Sequence, residues 1–232
     1  MRTKDLVLAQ GLRDTRKTLE RWRGAPWAVL RSWALLSLAV AAWLLLTVWA
    51  VAALTSPDPS GLQLPGVTRQ ARAADLGPIF LGNGLVLALH ALACVAGFIA
   101  GSSMPLTAEQ HSGVWRRVHE LAGPFAILFV AAATLFSLTT QAYVLGSFAS
   151  TLSAQLGLSP ALLIAGLLPH ALPELAALFL PLAAWTLASR RRRWHELLAA
   201  TFATVAVAVP VLVAAAFVEL WVSPDLIRAL AG

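Results

Sequence analysis

Residues 33–54 read WALLSLAVAAWLLLTVWAVAAL, without one charged side chain. A helix needs about 20 consecutive apolar residues to cross about 30 Å of hydrocarbon, so this stretch predicts a membrane span. The whole chain agrees. Its 232 residues are 59% hydrophobic and 12% charged, with a mean hydropathy of +0.75. Soluble domains carry roughly a quarter charged residues, and half of that cannot clothe a water-exposed surface. Collagen-like, disordered and disulfide-framework classes are excluded by 15 Gly, 13 Pro and 1 Cys. The expectation is an all-α, polytopic integral membrane protein folded as a single transmembrane domain over 1–232.

Moving outward from that first span, four more apolar runs follow at 78–101, 123–143, 159–188 and 197–222. The third is expected to continue helical towards Gln155. The fourth carries Pro169, Pro173 and Pro181. Because proline removes an N–H and crowds the preceding turn, the fourth span is expected to be broken. No cleavable signal peptide is expected, since the first apolar run begins late and no small-residue cleavage site closes it.

Orientation follows from the 17 Lys and Arg residues. Arg2, Lys4, Arg13, Arg16, Lys17, Arg21, Arg23 and Arg31 precede the first span. Arg116 and Arg117 follow the second, and Arg190, Arg191, Arg192 and Arg193 follow the fourth. Only Arg69, Arg72 and Arg228 fall on the other side. Basic residues gather on the cytoplasmic side of spans, which predicts five spans with the N-terminus inside, the C-terminus outside and a bacterial cytoplasmic (inner) membrane location. The net charge of +6 then records topology rather than nucleic-acid binding. No nucleic-acid partner is expected, because the basic residues flank apolar runs.

Before the first span, residues 3–24 predict a basic amphipathic helix on the cytoplasmic side. Leu8, Leu12, Thr15, Leu19 and Trp22 recur at helical spacing beside Arg13, Arg16, Lys17 and Arg21. Such a helix suits a bilayer with anionic head groups; it equally suits packing on the chain's own loops. The arginines at 190–193 are expected to orient the chain, and they are the candidates for contact with a partner or lipid head group. Gly97 and Gly101 form a G-x-x-x-G pair that lets helices approach closely, within the chain or in a homo-oligomer.

Ionisable groups inside a span cost at least ~2.5–3.5 kcal/mol on insertion scales and demand partners or water. Four stand out: His90, His170, Glu174 and Glu219, joined by the neutral Asn83. At about 1.5 Å per residue, His90 and His170 come at similar depth, and a continuous helix places His170 and Glu174 on one face. These five are the expected polar centre. One reading is a proline kink whose His170 and Glu174 satisfy each other and neighbouring backbone. The other is a working polar site, with His170 and Glu174 as candidate catalytic residues. His90, His170, Glu174 and Glu219 are also candidate ligands for zinc, since imidazole and carboxylate suit that ion. No H-E-x-x-H or G-x-S-x-G pattern is present, and Ser102, Ser103 and Ser147 have no base partner at a matching depth.

The stretches LLPHALPELAALFLPLAAWTLA (167–188) and AAAFVELWVSP (214–224) resemble the stage II sporulation protein M family, which shows a Pro-His followed by Glu within a span and a late glutamate in its last span. FLGNGLVLALHALACVAGFIAG (80–101) resembles its Asn-bearing span, and YVLGSFAS (143–150) takes the place of its Asn-Gly region. Ala171 stands where the family usually has Gly. The resemblance would extend to the basic N-terminal helix with Trp22. It implies Asn83, His170, Glu174 and Glu219 as embedded polar residues, and a scaffold or subunit of an envelope-remodelling or peptide maturation and export assembly. Implied partners are an ATPase or a hydrophobic precursor peptide. Two other functions fit the residues: a transporter or permease subunit with a polar mid-membrane site, and an intramembrane peptide hydrolase or ligase depending on metal or a His/Glu pair.

Overall fold

The computed structural model describes residues 3–99, 101 and 113–232. Arg2, Ser102, Ser103 and the side chains of Lys4, Leu8 and Arg116 lie outside the described residues. The elements are α1 (Thr3–Arg23), α2 (Pro26–Leu54), α3 (Leu76–Phe98), α4 (Gly113–Gln155), α5 (Pro160–Arg190), α6 (Leu197–Phe217) and α7 (Ser223–Ala231). A 3-10 turn over Ala73–Asp75 leads into α3, another over Trp194–Glu196 leads into α6, and a π-helical segment, Val218–Val222, joins α6 to α7. Among the described residues five helical stretches are long and apolar enough to cross a membrane: Pro26–Leu54, Ala73–Phe98, Leu128–Gln155, Pro160–Arg190 and Trp194–Ala231.

Contacts divide the chain into two compact units. Residues 1–37, 87–133 and 179–207 form unit 1; residues 38–86, 134–178 and 208–232 form unit 2. In unit 1, Trp33, Leu180, Ala183, Ala184 and Ala200 form a buried cluster, with Trp22, Val29, Leu30 and Leu187 packed against it. Trp22 and Trp33 meet edge to face at 5.3 Å, a preferred aromatic geometry. Gly97 lies against Trp185 and Leu197, and Gly101 against Trp194, so this small-residue pair packs within the chain.

The buried face of α1 is Gly11, Thr15 and Thr18, with Trp22 partly buried, whereas Leu12 is 64% exposed and Leu19 36% exposed. The stripe read from the sequence is therefore split. Thr15 Oγ1 donates to the Gly11 carbonyl at 2.7 Å, which satisfies its hydroxyl and lets a threonine occupy the interior. Gly11 admits Phe98 and Leu198 closely.

α5 corrects a second expectation. It runs unbroken from Pro160 to Arg190 through Pro169, Pro173 and Pro181. Each proline deletes only one backbone bond, and the intervening residues keep theirs. In a bilayer no water competes for those remaining bonds, so isolated losses are tolerated.

α4 and α5 end in the same way with different residues. After α4, Leu158 N–H donates to the Ser153 carbonyl and Gly157 N–H to Ala154. After α5, Arg193 N–H donates to Ala188 and Arg192 N–H to Ser189. Both are six-to-one closures requiring a left-handed residue, usually glycine. Gly157 (φ 67°) supplies it in one; Arg192 (φ 55°) supplies it in the other.

In unit 2, Gly146 of α4 sits against α2, where a Cβ would fall 2.5 Å from Val51 Cβ and 3.0 Å from the Val48 carbonyl oxygen. Small residues at such crossings replace the hydrophobic drive that lipid removes. The segment between α2 and α3 is irregular and tied down. Ser150 Oγ donates to the Thr55 carbonyl at 2.7 Å. Asp58 N–H donates to Thr151 Oγ1 at 3.0 Å, and Leu62 N–H to Gln155 Oε1 at 3.0 Å.

Candidate polar cavity of unit 2

Unit 2 encloses a cavity of about 610 Å³. α2 contributes Leu45 and Val48, α4 contributes Phe148 and Leu152, and α5 contributes Leu163, Leu167, His170 and Glu174. Glu219 comes from the π segment, Ser223 and Ile227 from α7, and Leu62, Leu64, Val67, Arg69 and Asp75 from the segment after α2. Apolar walls with a few convergent polar groups are the usual make-up of a ligand site.

Helical spacing builds the polar patch. His170 and Glu174 lie one turn apart on α5, and Glu219 and Ser223 lie one turn apart where the last span ends. His170 is 7% exposed, Ser223 1%, and Nδ1 of the ring lies 2.7 Å from Ser223 Oγ. That contact satisfies two polar groups which apolar surroundings would otherwise penalise. Glu174 and Glu219 are close enough to interact electrostatically. Asn83 of α3 lies close to Glu174; its buried Nδ2 completes no full-geometry hydrogen bond among the described residues, and buried Glu219 Oε2 has no partner among them.

The last span widens into the π segment just before Pro224. Pro224 has no N–H for the Leu220 carbonyl one turn back, while Ser223 N–H reaches back to the Val218 carbonyl. Such local widening recurs at functional sites. The Leu220 carbonyl faces Gly66, where a Cβ would stand 2.8 Å from that oxygen and 2.5 Å from Pro224 Cγ. Gly66 also has φ 78°, so close approach and backbone both require glycine there. Arg228 Nη1 donates to the Gly66 carbonyl at 2.9 Å. Arg69 is paired to Asp75 through two hydrogen bonds of 3.0 and 2.5 Å. That partner raises the guanidinium pKa above its ordinary value.

His90 belongs to unit 1, with its ring 5.7 Å from that of Phe179; it is not among the residues lining the cavity. Four of the five expected polar residues thus gather in unit 2: Asn83, His170, Glu174 and Glu219. Among the described residues no group of three or more His, Cys, Asp or Glu side chains is arranged to hold a metal ion. Sequence reading passed over Ser223, although its place one turn after Glu219 was visible. It also passed over Arg69 and Asp75, which reach the cavity from an irregular segment with no periodic pattern.

Five long apolar helices around buried polar side chains define a multi-pass helical membrane protein. Residues 125–224 match the family model described as Stage II sporulation protein M, the family that the sequence of the C-terminal half resembles. The matched residues contain His170, Glu174, Glu219 and Ser223; Asn83 and the N-terminal helix fall outside them. Comparison with curated proteins and with solved structures returned no match.

Proposed function

We propose that this chain is a scaffold or subunit of an envelope-remodelling or peptide maturation and export assembly in the bacterial cytoplasmic membrane, with its N-terminus inside. The observation that carries this reading is the turn after α5. Arg190, Arg191, Arg192 and Arg193 are all exposed, and the six-to-one closure fixes the backbone that presents them. Arg193 has Glu196 at 3.8 Å, while Arg190, Arg191 and Arg192 make no salt bridge among the described residues. Guanidinium forks held this way match carboxylates or phosphates on a partner, such as a cytoplasmic ATPase or a precursor peptide bearing acidic groups. The exposed Leu12, Leu19 and Arg16 of α1 favour a bilayer surface with anionic head groups beside that partner.

The test is co-purification of partners with tagged chain carrying Arg190→Glu and Arg191→Glu, with insertion and topology followed by cysteine labelling. Loss of the co-purifying partners from a normally inserted variant is the expected result. Undiminished co-purification from that variant would overturn the assignment.

A further inference from the structure

The cavity of unit 2 is shaped for an apolar guest, yet its charge is unbalanced. Its walls are mainly Leu, Val, Phe and Ile side chains, and its acidic groups are Glu174, Glu219 and Asp75. Among the described residues Arg69 is the one guanidinium or ammonium that lines it, and both of its contacts to a carboxylate go to Asp75. The other two carboxyl groups are left facing one another's field. Glu219 Oε2 is buried and accepts no hydrogen bond from a described residue. The neighbouring His170 ring is engaged by Ser223. Asn83, outside the cavity lining, stands beside Glu174 as a neutral group, so no cation is matched to these two carboxyl groups among the described residues.

From this juxtaposition we infer that the unit 2 cavity binds an apolar peptide segment carrying one primary ammonium group, a lysine side chain or a free N-terminus, with the ammonium between Glu174 and Glu219. An ammonium supplies three donors without an acceptor, which matches the unpartnered Glu219 Oε2 with Glu174 beside it. Its aliphatic or apolar carrier fills the remaining volume, and about 610 Å³ lies in the range of sites that enclose drug-sized ligands. An amino phospholipid brings a phosphate beside its ammonium, and the two carboxyl groups not paired to Arg69 oppose that second charge. A peptide amine brings none. The residues involved differ from the arginine turn assigned to partner docking, and variants at the two places have separate readouts.

The experiment uses the full chain in phosphatidylcholine nanodiscs with two probes: a short fluorescent leucine-rich peptide with a free N-terminus and the same peptide N-acetylated. The free-amine form is expected to bind about tenfold tighter or more, since its ammonium makes charge-assisted hydrogen bonds that the acetylated form lacks. Glu219→Gln and Glu174→Gln should each abolish that preference. If a glutamine variant does not fold, the paired probes on the unaltered chain still decide. Equal affinity for the two peptides would overturn the assignment. So would displacement of the peptide by phosphatidylethanolamine at matched concentration, which would give the cavity to lipid.

Discussion

Nδ1 of His170 on α5 and Oγ of Ser223, the first residue of α7, stand 2.7 Å apart with both side chains buried. This single contact ties two elements more than fifty residues apart in the chain. Ser223→Ala leaves the imidazole nitrogen without a partner in an apolar setting, a loss of about 1–3 kcal/mol. The expected outcome is a lower thermal midpoint in detergent, with His170→Ala combined with Ser223→Ala less unstable than the two single effects added together. Strict additivity would show that the pair does not act as a unit.

Gly66→Ala places a methyl group against Pro224 and the Leu220 carbonyl while φ stays at 78°. Clash and backbone strain together should cost more than about 1 kcal/mol. Protease sensitivity between Leu62 and Arg69 is the direct readout, and it should rise several-fold while the spanning helices stay intact.

Gly146→Leu should weaken the α2–α4 crossing of unit 2 by about 1–3 kcal/mol, because Val51 and the Val48 carbonyl leave no room for a side chain. Gly77→Leu, with open space around its Cβ position, serves as the control. A chemical-denaturation series in detergent should separate the two clearly.

Arg192→Gly removes a left-handed non-glycine residue, and it is expected to stabilise the chain by about 1 kcal/mol. The same change withdraws one exposed guanidinium. Higher stability accompanied by weaker partner recovery would mark the arginine as retained for contact rather than for folding.

The spans were legible because the bilayer imposes a length and an apolar composition that local sequence must carry. The embedded polar residues were legible for the same reason: Glu174 and Glu219 contradict their surroundings. The expected break at Pro169, Pro173 and Pro181 is absent because each proline removes one backbone bond, and in a bilayer the remaining bonds have no water to compete with them. On α1, hydrophobicity and burial part company, because the residues that go inside are chosen by size and local bonding. Gly11 and Thr15 go inside through size and a local hydrogen bond, and Leu12 stays out. His90 was placed with His170 by depth alone, and depth says nothing about which neighbours a ring meets; it lies beside Phe179 instead. Ser223 and the Gly66 contact depend on pairings across long sequence separations, which no local pattern records.

The segment over the cavity is fastened at two places. Gln155 holds Leu62, and Arg228 holds the carbonyl of Gly66. Arg228 sits on α7, and α7 begins at the serine that grips His170. The segment that lines the cavity and the imidazole that lines it from α5 are thereby joined through one short helix, by Arg228 at one point and Ser223 at the other.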